Sequence, residues 1–293
     1  MGFESVVFAG CLRIVTGWIE SRSMAAMHNL TRFAWLRLLV LALLVGGQPA
    51  GGAASDYTGD YTGIIARTKP AIVGVGTFQK TRRPPIRLLG TGFGVLDGRH
   101  VLTNLHVIPE ELNTAQRESL TVMVGTGRNP ERRRASLHAS DPQHDLAVLR
   151  IEGAPVPTLE LAPETAVREG GIYLFTGYPI GAVLGLYPAT HRAMIAAITP
   201  IVIPADHSSR LEPAAIRRLR APYDVYQLDG TAYPGNSGSP LYRPDSGQVV
   251  GIINKVFVKE TRESALTDPS GISYAIPAAH AVRLLERVRN GQD

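Results

Sequence analysis

Past residue 70 the apolar residues come in short runs and not at helical spacing. Residues 71–75, 92–96, 101–103, 120–124 and 146–151 are rich in β-branched side chains and bounded by Gly, Pro and Asn. That is how strands of an all-β barrel read. A second series at 171–175, 191–199, 224–228, 249–256 and 272–275 has the same grain, and Pro155, Pro157 and residues 160–164 mark a crossing between the two. The pattern predicts two antiparallel barrels, about 70–155 and 170–276. The period changes at Pro277. Val282, Leu284, Leu285 and Val288 fall on one side of a helix over 277–289, with Arg283, Arg287 and Arg289 towards its end.

Two stretches break this grain. Residues 200–222 read as a loop followed by a short basic helix, an insertion of the kind that lies on a barrel surface and shapes access. Residues 55–69 read as a leader, in which Asp56-Tyr57-Thr58-Gly59 repeats at once as Asp60-Tyr61-Thr62-Gly63, running into a short helix near Ile64. Two copies are too few for a repeat architecture.

The N-terminal 54 residues carry a different message. Leu38 to Val45 is an apolar core behind Arg32 and Arg37, and Gly51-Gly52-Ala53-Ala54 supplies small residues after it. The core is shorter than the roughly 20 residues a membrane span needs, so residues 27–54 are expected to be a cleaved export signal, leaving no membrane anchor. The residues ahead of it are expected to be an extension, with translation starting at Met24 or Met27. The single cysteine, Cys11, lies in this segment, so an exported mature chain folds without disulfides and depends on its core. About 240 residues suffice for that. Removing residues 1–54, which hold four Arg and two Glu, lowers the formal charge from +5 to +3. The Arg132-Arg133-Arg134 run is expected to be a solvated loop; without interleaved aromatics or a nucleic-acid motif it does not signal nucleic acid. The histidines lack ligand spacing, so no metal site and no cofactor are read.

Chemistry concentrates in three segments. Gly235-Asn236-Ser237-Gly238-Ser239-Pro240 places a serine between glycines, whose backbone freedom can present amides to a ligand. A hydroxyl beside such amides offers a nucleophile and donors for the oxyanion that forms on attack. Thr103-Asn104-Leu105-His106-Val107 follows Gly90-Thr91-Gly92-Phe93-Gly94, and His144-Asp145 precedes the apolar run Leu146-Ala147-Val148-Leu149. Taken alone, the glycine-rich stretch has the composition of a hairpin turn. Together the segments give His106, Asp145 and Ser237, in the chain order of chymotrypsin-like double barrels and not of subtilisins or α/β-hydrolases. Asp141 and His144 are the rivals of Asp145.

From about Ile64 to Leu285 the chain resembles trypsin-like serine proteases of the bacterial HtrA/Deg type, as a protease domain without a PDZ domain. Besides the three segments, Gly177-Tyr178-Pro179-Ile180-Gly181, Tyr226-Gln227-Leu228-Asp229 and Gly271-Ile272-Ser273-Tyr274-Ala275-Ile276-Pro277 are similar to that family's motifs. The resemblance implies two six-stranded antiparallel chymotrypsin-like barrels with a C-terminal helix, a His106-Asp145-Ser237 triad, and an oxyanion hole from Gly235, Asn236 and Ser237. It implies periplasmic or secreted action on proteins or peptides, with a monomer and a trimer both open. Asn236 stands where digestive relatives carry an Asp that pairs with a newly cut N-terminus. A neutral Asn cannot form that ion pair, so the resemblance implies control by loop ordering. Pro234 fixes its own φ and has no amide hydrogen, so it is expected to stiffen the turn or to alter access beside the scissile bond. Thr231 occupies the place of the Asp that reads basic substrates; with Ala232 and a wall from Asn254, Lys255 and Val256, the expected preference is a small or aliphatic side chain before the cut. Asp229 is a candidate polar floor, but the resemblance implies a structural place for it. A silent chaperone-like binding module and an esterase on the same triad are the competing functions.

Overall fold

The computed structural model describes residues 60–162, 167–179, 185–201, 222–254 and 273–291. The signal segment, the extension before it, Ile180 and Gly181, the insertion over 202–221 and the stretch 255–272 with Lys255 and Val256 lie outside these residues.

A short helix α1 (Thr62–Thr68) leads into twelve strands. β1 (Ile72–Phe78), β2 (Ile86–Val95), β3 (His100–Asn104), β4 (Ser119–Val124), β5 (Glu131–Asp141) and β6 (Leu146–Ile151) close into one barrel in the order β1-β2-β3-β6-β5-β4. β7 (Ile172–Gly177), β8 (Ala189–Pro200), β9 (Asp224–Leu228), β10 (Pro240–Tyr242), β11 (Val249–Asn254) and β12 (Ser273–Pro277) close into a second, in the order β10-β11-β12-β9-β8-β7. All the pairings between consecutive neighbours are antiparallel. Helix α2 (Ala278–Arg289) follows β12 directly.

The alternation of a strand sends neighbouring residues to opposite faces, and here both faces of the central strands are buried. On β6, Leu146 and Val148 join the cluster between the barrels, whereas Leu149 and Ile151 fill the first barrel. On β11, Val249 and Ile252 face the shared cluster, and Val250 and Ile253 fill the second barrel. This is why these strands read as unbroken apolar runs. The shared cluster also includes Phe93, Leu102, Leu174, Tyr242 and Leu284, so both barrels and α2 pack through one apolar seam.

Two strands were not legible. The Arg132-Arg133-Arg134 run is not a loop; it lies in β5, paired residue by residue with Met123, Val122 and Thr121. Arg132 and Arg134 are exposed and Arg133 is half-buried against Glu131, and all three are charged, so no apolar alternation announces the strand. Arg133 makes two hydrogen bonds to the Glu131 carboxylate at 2.8 and 2.9 Å, and Arg132 lies 4.2 Å over the Phe78 ring. β10 has three residues, all buried, and is masked by the Gly-rich turn before it. In α2 the buried face is Ala278, Ala281, Leu284 and Leu285, with Val288 packed beside it and Val282 half-buried. The two alanines let the helix backbone lie close to the sheet, a contribution that a count of large apolar residues leaves out.

Candidate active site

His106 lies in a 3-10 turn at the end of β3, and Asp145 lies immediately before β6, the neighbour of β3 in the barrel. The pairing of Asn104 with Leu146 carries both strands to the same end. Asp145 takes a left-handed conformation at φ 54°, unusual for a residue other than glycine. Its carbonyl accepts hydrogen bonds from the Leu105 amide and the Asn104 side chain, both at 3.1 Å. Its carboxylate is fully committed to His106: Oδ1 accepts the backbone amide at 2.9 Å and Oδ2 accepts from Nδ1 at 2.6 Å. A carboxylate on Nδ1 keeps the proton there and leaves the lone pair on Nε2. Asp145 is 4% exposed, so water competes little for this contact. The rivals of Asp145 serve one another instead: Asp141 Oδ2 lies 2.7 Å from Nδ1 of His144.

The serine segment is built from turns. The Asn236 amide donates to the Tyr233 carbonyl at 3.0 Å, and Gly235 has φ 103°. Pro at the second position and a positive-φ glycine at the third make this a type II turn. The amides of Asn236, Gly238 and Ser239 are bonded to the carbonyls of Tyr233, Ile253 and Asn236. Those of Gly235 and Ser237 have no acceptor among the described residues. Amide donors without a partner are what an oxyanion site requires. Asn236 contributes its place in the chain; its side chain is buried.

Thr91 of β2 is the residue that fastens this turn to the first barrel, and sequence reasoning gave it no role. Its amide donates to the Ser237 carbonyl at 2.8 Å, and its hydroxyl donates to the Gly235 carbonyl at 2.7 Å while accepting from the Tyr178 amide at 3.0 Å. Its own carbonyl accepts from the Thr103 hydroxyl at 2.6 Å, three residues before His106. The signal was the threonine between Gly90 and Gly92, read only as spacing. Gly90 shows how close the two halves come: a Cβ there would lie 2.7 Å from Val107 Cγ2, beside His106, and 2.9 Å from the Ser237 carbonyl. The structure thus joins His106 to Asp145 directly and brings the Ser237 backbone and Val107, the residue after His106, together at Gly90. Among the described residues no hydrogen bond joins His106 Nε2 to Ser237 Oγ, which is common for such pairs before substrate binds.

Gly177, one of the glycines in the 177–181 motif, closes the other side. A Cβ at this position would overlap Ser239 Oγ and lie 2.7 Å from Asn236 Oδ1. The Gly177→Ala variant is therefore expected to lose about 1–3 kcal/mol in urea unfolding and to displace the 235–239 turn, with casein turnover falling more than stability predicts. Unchanged turnover would show that the turn does not bear on Gly177.

Of the specificity residues, Ala232 packs against the second-barrel core, and its amide donates to Ser273 Oγ at 2.6 Å. Thr231 lies beside it, half-buried, and Asn254 is buried at the end of β11. Lys255 and Val256 fall outside the described residues. Asp229 is not a pocket floor: it is exposed, and its carboxylate accepts the Met194 amide at 2.7 Å, tying β9 to β8. Among the described residues no group of three or more His, Cys, Asp or Glu could hold a metal ion, and no helix is long and apolar enough to cross a membrane.

The trypsin-like peptidase domain model matches residues 90–252, from the start of the Thr91 segment to β11. The chain belongs to the trypsin-like peptidase family. The enzyme class of that family is serine endopeptidase. A "Probable periplasmic serine endoprotease DegP-like" of Ectopseudomonas mendocina is 26% identical over 86% of this chain and 53% of its own length. One of Marinomonas sp. with the same description is 30% identical over 69% of this chain and 36% of its own. The chain thus spans about half, or less, of the curated relatives it matches. Among solved structures, a serine endoprotease from Yersinia pestis is 26% identical with a TM-score of 0.56, covering 80% of this chain and 68% of that one. A protease from M. tuberculosis in its active form, at 23% identity and TM-score 0.56 over 77% of this chain and 83% of its own, shares the fold.

Proposed function

We propose that this peptidase-family chain is an exported serine endopeptidase of the HtrA/DegP-like type that cuts unfolded or damaged proteins through His106, Asp145 and Ser237. The observation that carries the reading is the double hold of the Asp145 carboxylate on the His106 amide and Nδ1, at 2.9 and 2.6 Å. It supports an imidazole whose Nε2 is ready to accept a proton, at the barrel end where Ser237 is anchored by Thr91. Ser237 Oγ attacks the peptide carbonyl, His106 takes its proton and returns it to the leaving amine, and Asp145 stabilises the imidazolium. The unpaired Gly235 and Ser237 amides receive the oxyanion. Loss of one such donor costs about 3 kcal/mol in comparable sites. Export follows from the 27–54 segment and from the periplasmic relatives.

The side chain before the cut is small or aliphatic in this reading, because Thr231 and Ala232 offer no charge to a substrate Arg or Lys. A peptide library that returns a strong Arg or Lys preference overturns that part. Offering casein and a fluorophosphonate probe to the wild type and to Ser237→Ala tests the whole. Serine-dependent labelling with casein cleavage is expected. Labelling with cleavage of small esters alone would make the chain an esterase, and absence of both would leave a binding module.

A further inference from the structure

The turn that delivers Asp145 is held from a second side. Asp141 Oδ1 accepts the amides of Gln143 and His144 at 3.1 and 3.2 Å, and Oδ2 takes Nδ1 of His144 at 2.7 Å, so the ring of His144 is fixed in direction. That ring stacks on His280 of α2, with centroids 3.8 Å apart and planes 30° apart. Tyr223, just ahead of β9, stands edge-on to both rings at 4.7 and 5.0 Å. Arg287 of the same helix donates to the Ser140 carbonyl at 3.5 Å, one residue before the turn. Three separate parts of the chain therefore converge on the residue adjacent to Asp145. Nothing in the triad chemistry uses them.

The stack requires a neutral His280. A guanidinium has only donors, and Arg283 places one 2.7 Å from Nδ1 of His280, which must therefore accept it. The groups facing His280 are Asp141 and His144 from the turn, Tyr223 from the approach to β9, and Arg283 on its own helix. Burial, then the neighbouring His144 and Arg283, push His280 down to about 4, against a smaller opposite pull from Asp141. Asp141 is itself held below the usual carboxylate range: burial pushes it up, but the His144 contacts and the Arg287 charge outweigh that.

We infer that His144, His280 and Tyr223 form a positioning clamp, in which α2 fixes the 141–145 turn and thereby sets where the Asp145 carboxylate meets His106. Asp145 needs such a hold because its left-handed backbone is strained, and a turn with loose anchorage relaxes towards ordinary angles. A shift of this carboxylate by about 1 Å is enough to cost up to roughly 100-fold in rate. The inference rests on the triad reading given above. His280 and His144 are positioning residues; neither touches the reacting atoms.

The test compares His280→Ala with His280→Phe, which keeps a ring to stack but cannot titrate. With casein-derived peptide as substrate, His280→Ala is expected to lose about 10- to 100-fold in kcat with KM within about twofold, and His280→Phe to restore most of it. The low-field proton NMR signal of His106 Nδ1–H is expected to weaken or move in the alanine variant and return in the phenylalanine variant. That signal is read without turnover, so it tests the clamp even if the chain cleaves nothing, whereas absent fluorophosphonate labelling of Ser237 in the wild type sinks the triad reading instead. Unchanged kcat and an unchanged His106 signal in His280→Ala, or a fall in melting temperature alone, overturn the clamp. If His280→Ala does not fold, Tyr223→Leu serves, with the same expected kcat loss and signal change. A stability profile adds an independent check. The folded chain holds His280 near 4 and an unfolded histidine binds its proton near 6.5. Its contribution is complete above pH about 6.5 and is lost as pH falls from there towards 4. The melting temperature of His280→Phe should fall less than that of the wild type over this window; an equal fall overturns the neutral stack.

Discussion

Replacing Ser237 by alanine is expected to lower kcat on casein by about 10⁶-fold while leaving the fold intact. The side chain is small and its hydroxyl makes no hydrogen bond among the described residues, so nothing in the barrel seam depends on it. The Ser237 amide and carbonyl, which the turn does use, survive the change. The variant should therefore unfold at the wild-type urea midpoint, and binding of a noncleavable peptide should change little. A residual rate of about 10³–10⁴ over water is expected from the two unpaired amides and from substrate positioning. Adding His106→Ala should cost almost nothing more, because the two groups act as one unit. A double variant slower by a further factor of 100 would mean that His106 has a role separate from Ser237.

Asp145→Asn is expected to lower kcat by about 10⁴-fold with little change in shape. Oδ1 can still accept the His106 amide, as it does now at 2.9 Å. The substituted NH₂ then faces Nδ1 and donates to it. Nδ1 becomes an acceptor, the ring proton moves to Nε2, and the nitrogen proposed to take the Ser237 proton can no longer accept it. The loss should ease at high pH, where deprotonation of the serine is assisted by hydroxide, and the pH–rate profile is the measurement that shows it. If the asparagine variant retained wild-type kcat, Asp145 would be holding the loop and not the tautomer. Reduced unfolding stability with normal kcat points the same way.

Much of the candidate site was legible because the chemistry dictates residue types that seldom come together otherwise. A serine between glycines, a histidine after a buried strand, and an acid before another can be read one by one, and their order selects the double barrel. Asp145 could be preferred over Asp141 by its place before Leu146. The turn at Pro234-Gly235 was equally local. Proline presets φ and glycine accepts the positive angle that follows, so the type II geometry is written in two residues.

What stayed hidden depends on residues distant in the chain. Thr91 reads as a spacer until the second barrel brings Gly235, Ser237 and Tyr178 against it. The structural place expected of Asp229 gains a definite partner only when β8 presents the Met194 amide. β5 carries charged residues on both faces at its start, so its strand character there comes from the pairing with β4. Likewise, the stacking of His144 on His280 joins residues 136 positions apart, and no local pattern marks it. The sequence by itself determined the types and order of the reacting groups and the alternation that buries both faces of the central strands, since these follow from each residue's own chemistry and its near neighbours. Only the tertiary structure decided which carboxylate meets His106, which amides find no acceptor among the described residues and which helix stacks on the residue beside Asp145, because a hydrogen bond or a ring stack acts over a few ångströms and exists only once packing has set the distance.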